Sequence, residues 1–190
     1  MRLYFNVMRR WWITLLAISL LGLVCWSLGG TEIPVPGFIG GMVSMRVKYF
    51  APLLVVVAVL YCLERRLQAQ ESTAVVRLRG WDLAVVSLTA VLGHLLGLFV
   101  GMDIARNLML LLAFALVIRQ LSNEAAAGGA CLLLLLATAS LGRSYEPSGH
   151  LTGQWWAIPL YPSESLRAWV VAVALFGCGL LSSGRSRGFR

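Results

Sequence analysis

Residues 83–118 read LAVVSLTAVLGHLLGLFV-GMDIARNLMLLLAFALVI, two long apolar stretches joined by a short turn around Gly101 and Asp103. A helix that crosses the hydrocarbon layer of a membrane needs about 20 mostly apolar residues, and both stretches approach that length. Such stretches recur along the chain at 11–28, 44–63, 83–100, 102–118, 125–141 and 166–181. The sequence therefore predicts an all-α, polytopic membrane protein with six transmembrane helices.

The composition leaves little room for a soluble domain. The chain has 190 residues, of which 59% are hydrophobic, and its mean hydropathy is +0.81. The longest polar-enriched interruptions, 64–82 and 142–165, are each too short to build an independent core. We predict a single transmembrane domain over residues 1–190, so any soluble catalytic machinery belongs to another chain.

The basic residues indicate an orientation rather than a nucleic-acid partner. The net charge is +8, every basic residue except Lys48 is an arginine, and they lie mainly at the ends of apolar stretches, where they fix topology. With the N-terminus in the cytoplasm, the inner side receives Arg2, Arg9, Arg10, Arg65, Arg66, Arg77, Arg79, Arg119, Arg185, Arg187 and Arg190. The outer side receives only Arg46, Lys48, Arg106, Arg143 and Arg167. The positive-inside rule thus predicts both termini in the cytoplasm. The arginine-rich composition, with much Leu, Ala and Gly, favours a bacterial plasma membrane.

The connections differ in character. Residues 1–12 mix apolar side chains with arginines and tryptophans, which predicts a short interfacial helix leading into the first span. Residues 31–41 contain two prolines and three glycines and predict a turn-rich outer connection. The third and fourth spans form a tight outer hairpin around Gly101, and the fourth and fifth a tight inner one around 119–124.

The inner segment 64–82 has apolar residues near helical spacing, interleaved with arginines. An imperfect amphipathic helix of this kind lies at the membrane surface and presents its charged face to a soluble partner. The alternative is a solvated linker whose arginines only set the topology.

The outer segment 142–165 combines Trp155, Trp156 and Tyr161 with three prolines. Aromatic side chains favour the depth of the lipid headgroups, so this composition predicts an interfacial or partly re-entrant element before the last helix. If it enters the bilayer, protein or water must cover its broken backbone. An outer gate and a simple interfacial anchor both remain open.

His94 is the only ionisable residue well inside a predicted span. Ionisable groups at that depth are costly, so His94 is a candidate for contacting substrate or relaying a proton. Gly93 and Gly97 flank it and permit close helix packing, so a hydrogen bond to a neighbouring helix is the alternative. Asp103 and Arg106 are three residues apart, and we expect them to pair with each other at the outer boundary.

Enzyme signatures do not fit the chain. A phosphate-binding P-loop needs a lysine after a glycine-rich turn, and Lys48 has no such context. Ser148 and His150 are close in sequence, but no nucleophile elbow or orienting carboxylate accompanies them. The sequence offers no metal-ligand motif, so we expect no catalytic, cofactor or metal site in this chain. The cysteines are read as small packing residues at Cys25, Cys62, Cys131 and Cys178.

This layout resembles the ABC-2 type permeases, the membrane subunits of a class of ABC exporters. In that family an amphipathic N-terminal segment precedes six spans, a coupling helix lies between spans two and three, and an outer re-entrant element lies between spans five and six. Residues 1–12, 64–82 and 142–165 look like these three parts. The resemblance implies a separate P-loop ATPase subunit, which carries ATP and Mg, and a second permease chain, the same or different.

The leading hypothesis is thus a permease subunit of an ATP-driven ABC exporter. The residues expected to couple to the ATPase are Arg65, Arg66, Glu71, Arg77 and Arg79. His94 is the candidate for the translocation path, and Trp155, Trp156 and Tyr161 are those for an outer gate. One alternative is a noncatalytic structural or assembly subunit of a larger membrane complex. Another is a small membrane enzyme acting on lipids through His94 or His150.

Overall fold

The computed structural model describes residues 11–36, 42–64, 78–145 and 151–185. Within these residues the chain is mostly helical, as predicted, with six α-helices. They are α1 (Trp12–Leu28), α2 (Pro52–Glu64), α3 (Leu78–Val100), α4 (Met102–Leu121), α5 (Glu124–Leu141) and α6 (Leu166–Arg185). By length and composition, four of the helices described are able to cross a membrane, namely α3 to α6. The remaining apolar helices, Trp12–Leu28 and Val47–Leu63, are shorter.

Two small antiparallel hairpins were not predicted. Strands β1 (Glu32–Pro36) and β2 (Met42–Arg46) form the first, and β3 (Arg143–Tyr145) and β4 (Leu151–Gly153) form the second. The predicted span 44–63 therefore begins too early, because its first residues pair with β1 and are followed by a 3-10 turn at Val47–Tyr49. Apolar composition alone does not distinguish an extended segment from the first turn of a helix.

Short local signals set the helix boundaries. Pro52 opens α2, a position where the missing backbone N–H is not needed. Asn123 caps α5, and its side-chain oxygen accepts a hydrogen bond from the Ala126 backbone N–H at 2.7 Å. Gly101 joins α3 to α4 with φ of 134°, a conformation that side chains with a Cβ rarely adopt. The tight α3–α4 connection predicted at Gly101 is thus confirmed.

Helix α4 lies at the centre of the bundle and packs against α2, α3, α5 and α6. An unbroken run of its residues, 103–113, is buried. The packing against α3 is close, because a Cβ at Gly97 would lie 2.8 Å from the Ala105 Cβ, and one at Gly93 would overlap the Leu108 side chain. The glycines around His94 therefore permit close helix contact, as predicted.

The six helices alternate in direction. At one end of the bundle, the Thr14 hydroxyl of α1 contacts the Cys62 thiol of α2 at 3.7 Å. At that same end, Arg119 near the end of α4 donates to the Leu63 carbonyl, and Gln120 donates to Ser182 of α6. We call this the Arg119 end. The opposite end, where α4 begins, is called the Lys48 end.

The four cysteines are free thiols, and Cys178 alone is exposed. Cys25 and Cys131 belong to the hydrophobic core. The interpretation of these residues as packing groups is confirmed for the three that are buried, whereas Cys178 lies on an exposed face of α6.

Candidate functional site

The candidate site lies at the Lys48 end, where residues 154–165 run from β4 to α6. We call this segment the strap. Its backbone bonds to Gly142 through the Gln154 N–H and otherwise forms local turns, such as the bond from the Leu160 N–H to the Ala157 carbonyl and a 3-10 turn at Ile158–Leu160. Ala157 and Pro159 are its buried residues. Because the strap has no continuous helix or strand, several of its carbonyls depend on other parts of the chain for hydrogen bonds.

Arg106 of α4 supplies most of those hydrogen bonds. Its side chain is completely buried. One terminal nitrogen donates to the Pro162 carbonyl at 2.9 Å, and the other donates to the Tyr161 carbonyl at 2.8 Å and lies 3.4 Å from the Pro159 carbonyl. The neighbouring Asn107, also fully buried, donates to the Pro159 carbonyl at 3.1 Å and accepts from Arg106 at 3.3 Å. We call Arg106 and Asn107 the strap clamp.

A buried ion pair lies one turn before the clamp. The Lys48 ammonium is 2.5 Å from the Asp103 carboxylate, and the two side chains are only 19% and 8% exposed. Lys48 belongs to the 3-10 turn before α2, so the pair joins that turn to the start of α4. Together with Arg106, the cluster holds two cations and one carboxylate.

Helix α6 also donates a hydrogen bond to the strap. The Trp169 indole N–H donates to the Ser163 carbonyl at 2.9 Å. The ring of His94, on α3, lies against the Trp169 ring with a centroid distance of 5.5 Å and a tilt of 48°. The Nδ1 atom of His94 is 2.7 Å from the carbonyl oxygen of Ala90, one turn earlier in α3. Four elements therefore meet at the strap: α4 through the clamp, α6 through Trp169, α3 behind Trp169, and the end of α5.

The contact with α5 is made at Gly142. This residue accepts a hydrogen bond from the Gln154 N–H through its carbonyl at 2.9 Å. A Cβ there would lie 2.8 Å from the Ala157 Cβ and 2.9 Å from Leu160, so only glycine permits so close an approach of the strap.

The hydrogen bonds of this arrangement hold the strap against the helices. The guanidinium, amide and indole groups each donate to backbone carbonyls of the strap, and the guanidinium also donates to the Asn107 side-chain oxygen. Within residues 11–36, 42–64, 78–145 and 151–185, no group of three His, Cys, Asp or Glu side chains is placed to hold a metal ion. What the site can do is position the strap relative to α3, α4 and α6.

The predicted site residues have different outcomes. The Nδ1 atom of His94 lies at hydrogen-bond distance from the Ala90 carbonyl of its own helix, and the His94 ring contacts α6 through Trp169. Trp155 is 81% exposed, and Trp156 and Tyr161 are half-buried. The gate candidates thus lie in the strap, but only Tyr161 joins the clamp, and it does so through its backbone.

The predicted pair between Asp103 and Arg106 is wrong. Asp103 pairs with Lys48, and Arg106 turns to the strap carbonyls. The i,i+3 spacing favours a local pair, but both side chains find partners that are remote in sequence and buried with them.

The predicted coupling residues Arg65, Arg66, Glu71 and Arg77 lie outside the described residues, as do residues 1–10 of the N-terminal segment and His150. Arg79 falls in the first turn of α3. These predictions stay predictions.

Sequence reasoning missed the clamp and the Lys48 pair. A signal was present, because a polar pair such as Arg106 and Asn107 inside an apolar stretch is costly unless it is satisfied within the protein. Placing Arg106 at the membrane boundary hid that signal. Nothing in the sequence pointed to Trp169 or to the strap carbonyls as partners.

No protein-family model, no curated protein and no solved structure matches this chain. The functional argument therefore rests on the residues and geometry of the chain itself.

Proposed function

We propose that this chain is a multi-pass protein of a bacterial plasma membrane and serves as the permease subunit of an ATP-driven ABC exporter. Large apolar side chains on the bundle surface support the membrane location. Trp26, Leu98, Phe99 and Leu133 are each more than three-fifths exposed and would face lipid. Large apolar side chains exposed on a protein surface are unfavourable in water and favourable in a bilayer.

The observation that carries the proposal is the common location of four helix ends. The start of α1, the ends of α2 and α4, and the end of α6 all meet at the Arg119 end, as the contacts of Thr14, Arg119 and Gln120 record. The arginine-rich stretch 64–82 follows α2 in the sequence. With the Arg119 end in the cytoplasm, that stretch is available to a soluble ATPase on the side where ATP is present.

In this proposal the chain works as one of two permease chains. ATP binding closes a pair of separate ATPase subunits, and docked residues of the 64–82 stretch transmit the closure to α2 and α3. The two conformations of the membrane chains must differ in their affinity for the ATP-bound ATPase, since only a differential affinity shifts the equilibrium. The strap, at the outer end, is the element that controls access there.

Co-purification tests the proposal. The full chain, tagged and solubilised in a mild detergent, is expected to retain a P-loop ATPase. Arg65→Gln combined with Arg66→Gln should release the ATPase while the permease remains folded. Arg167→Gln, which removes an exposed arginine at the opposite end, is the matched control and should retain it. An intact complex with no ATPase chain would contradict the proposal.

A second candidate function is that of a noncatalytic assembly subunit. The observation in its favour is the continuous burial of residues 103–113 of α4 together with the bonds from Arg106 to three backbone carbonyls, which suits a rigid part. This candidate predicts stable assembly into a larger membrane complex whose ATP-dependent transport is unaffected by loosening the strap.

A further inference from the structure

The strap is fastened mainly by polar bonds and only slightly by apolar burial. Of its side chains only Ala157 and Pro159 are buried, whereas Trp155, Pro162, Ser163 and Glu164 are exposed. The carbonyls of 159, 161 and 162 receive their donors from the clamp. Because the clamp consists of two adjacent residues on one helix, a small movement of α4 changes every one of these bonds together.

Arg106 also has a partner available when the strap is absent. Asp103 lies on the same helix three residues earlier, a spacing at which oppositely charged side chains meet. In the structure described here Asp103 pairs with Lys48 instead. A guanidinium released from the strap carbonyls would therefore find a buried carboxylate one turn away, in exchange for the Lys48 ammonium, whose side chain is 19% exposed.

We infer that Arg106 is a two-position latch for the strap. In the closed position it binds the carbonyls of Pro159, Tyr161 and Pro162, and in the open position it binds Asp103. The latch deepens the proposed function because it names the residue that couples α4 to the outer gate. Its bistability does not require a partner protein.

The closed position requires the charge of Arg106, and the open position also requires the charge of Asp103. Removing the guanidinium abolishes the closed position, so the strap opens. Removing the Asp103 charge abolishes the open partner of Arg106, so the strap stays closed. A purely structural clamp has no reason to show this opposition, since loss of the Lys48–Asp103 pair would then only loosen the Lys48 end.

The test uses a thiol at Ala157, a residue of the strap itself that is fully buried while the strap is closed. Ala157→Cys is introduced into the full chain with Cys178→Ser, and the parent without Ala157→Cys corrects for the three buried native thiols. Labelling by a membrane-impermeant maleimide is measured in vesicles that contain the chain alone. Arg106→Gln should raise the labelling rate at least about tenfold, the effect of roughly 1.4 kcal/mol on the opening equilibrium.

Three further variants complete the test. Arg106→Lys keeps the charge but not the planar fork that reaches several carbonyls, so it should also raise the labelling rate. Arg167→Gln, the exposed control, should leave it unchanged, and Asp103→Asn should lower it or leave it at the parent value.

Labelling of a folded Arg106→Gln chain at the parent rate would overturn the latch. A rise in the labelling rate with Asp103→Asn would overturn the exchange of Arg106 between the strap carbonyls and Asp103. If Arg106→Gln does not fold, Arg106→Lys decides by the same criterion. Since no ATPase is present, the result is independent of whether the chain serves an exporter, and co-purification tests that separately.

Discussion

Replacing Gly97 by alanine should destabilise the bundle, although alanine is the better helix former. The Cβ that Gly97→Ala adds would lie 2.8 Å from the Ala105 Cβ of α4. Carbon atoms pack best at about 3.5 to 4.0 Å, so α3 and α4 would have to separate by about 1 Å. Overpacking of this kind typically costs about 1 to 3 kcal/mol.

Gly129 on α5 is the matched control, because a Cβ there would meet nothing within 4 Å. Gly129→Ala should therefore be neutral or gain about 0.5 to 1 kcal/mol from the lower backbone entropy of the unfolded chain. We expect the unfolding free energies of the two variants, measured by denaturant titration in mixed micelles, to differ by about 1 to 4 kcal/mol. Equal stabilities would refute the close packing of α3 on α4.

The described contacts lead to three further predictions, two for matched pairs of variants and one for a single variant. Leu111→Ala, at a fully buried position of α4, should cost about 2 to 5 kcal/mol, whereas Leu133→Ala, at a position 68% exposed, should cost little in the same titration. Lys48→Gln leaves a buried carboxylate without its cation and should cost about 1 to 3 kcal/mol, whereas Arg46→Gln removes one half of an exposed pair and should cost less than about 1 kcal/mol. Asn123→Ala removes the cap of α5 and should cost about 0.5 to 2 kcal/mol, seen as faster amide exchange in its first turn. A reversed order within either pair, or unchanged exchange for the cap variant, would contradict the packing described.

The helices could be predicted from the sequence because their signals are local. Apolar length, Gly101 between α3 and α4, and the polar turn before α5 are each contained within a few residues. The N-terminal boundary of α2 could not be predicted, since Met42–Arg46 pairs with Glu32–Pro36, a strand that lies outside the apolar run. Local composition does not reveal which segment an extended stretch will meet.

The candidate site was predicted only in part, for a related reason. His94 and Tyr161 were identified because a histidine or an aromatic residue in such a context is unusual. The partners of Arg106 are backbone carbonyls more than fifty positions away, and carbonyls carry no sequence signal. The spacing in the sequence favoured Asp103 as the partner of Arg106, but Asp103 forms its ion pair with Lys48, which is remote in sequence.

The central claim is that the bundle lies in a membrane with its Arg119 end, and the stretch 64–82, in the cytoplasm. The most direct measurement is labelling of single cysteines in intact cells by an impermeant maleimide, with Cys178→Ser as background. Ser163→Cys, in the exposed part of the strap, should react from outside, and Gln70→Cys should react only after the membrane is opened. Reaction of Gln70→Cys in intact cells would contradict the account.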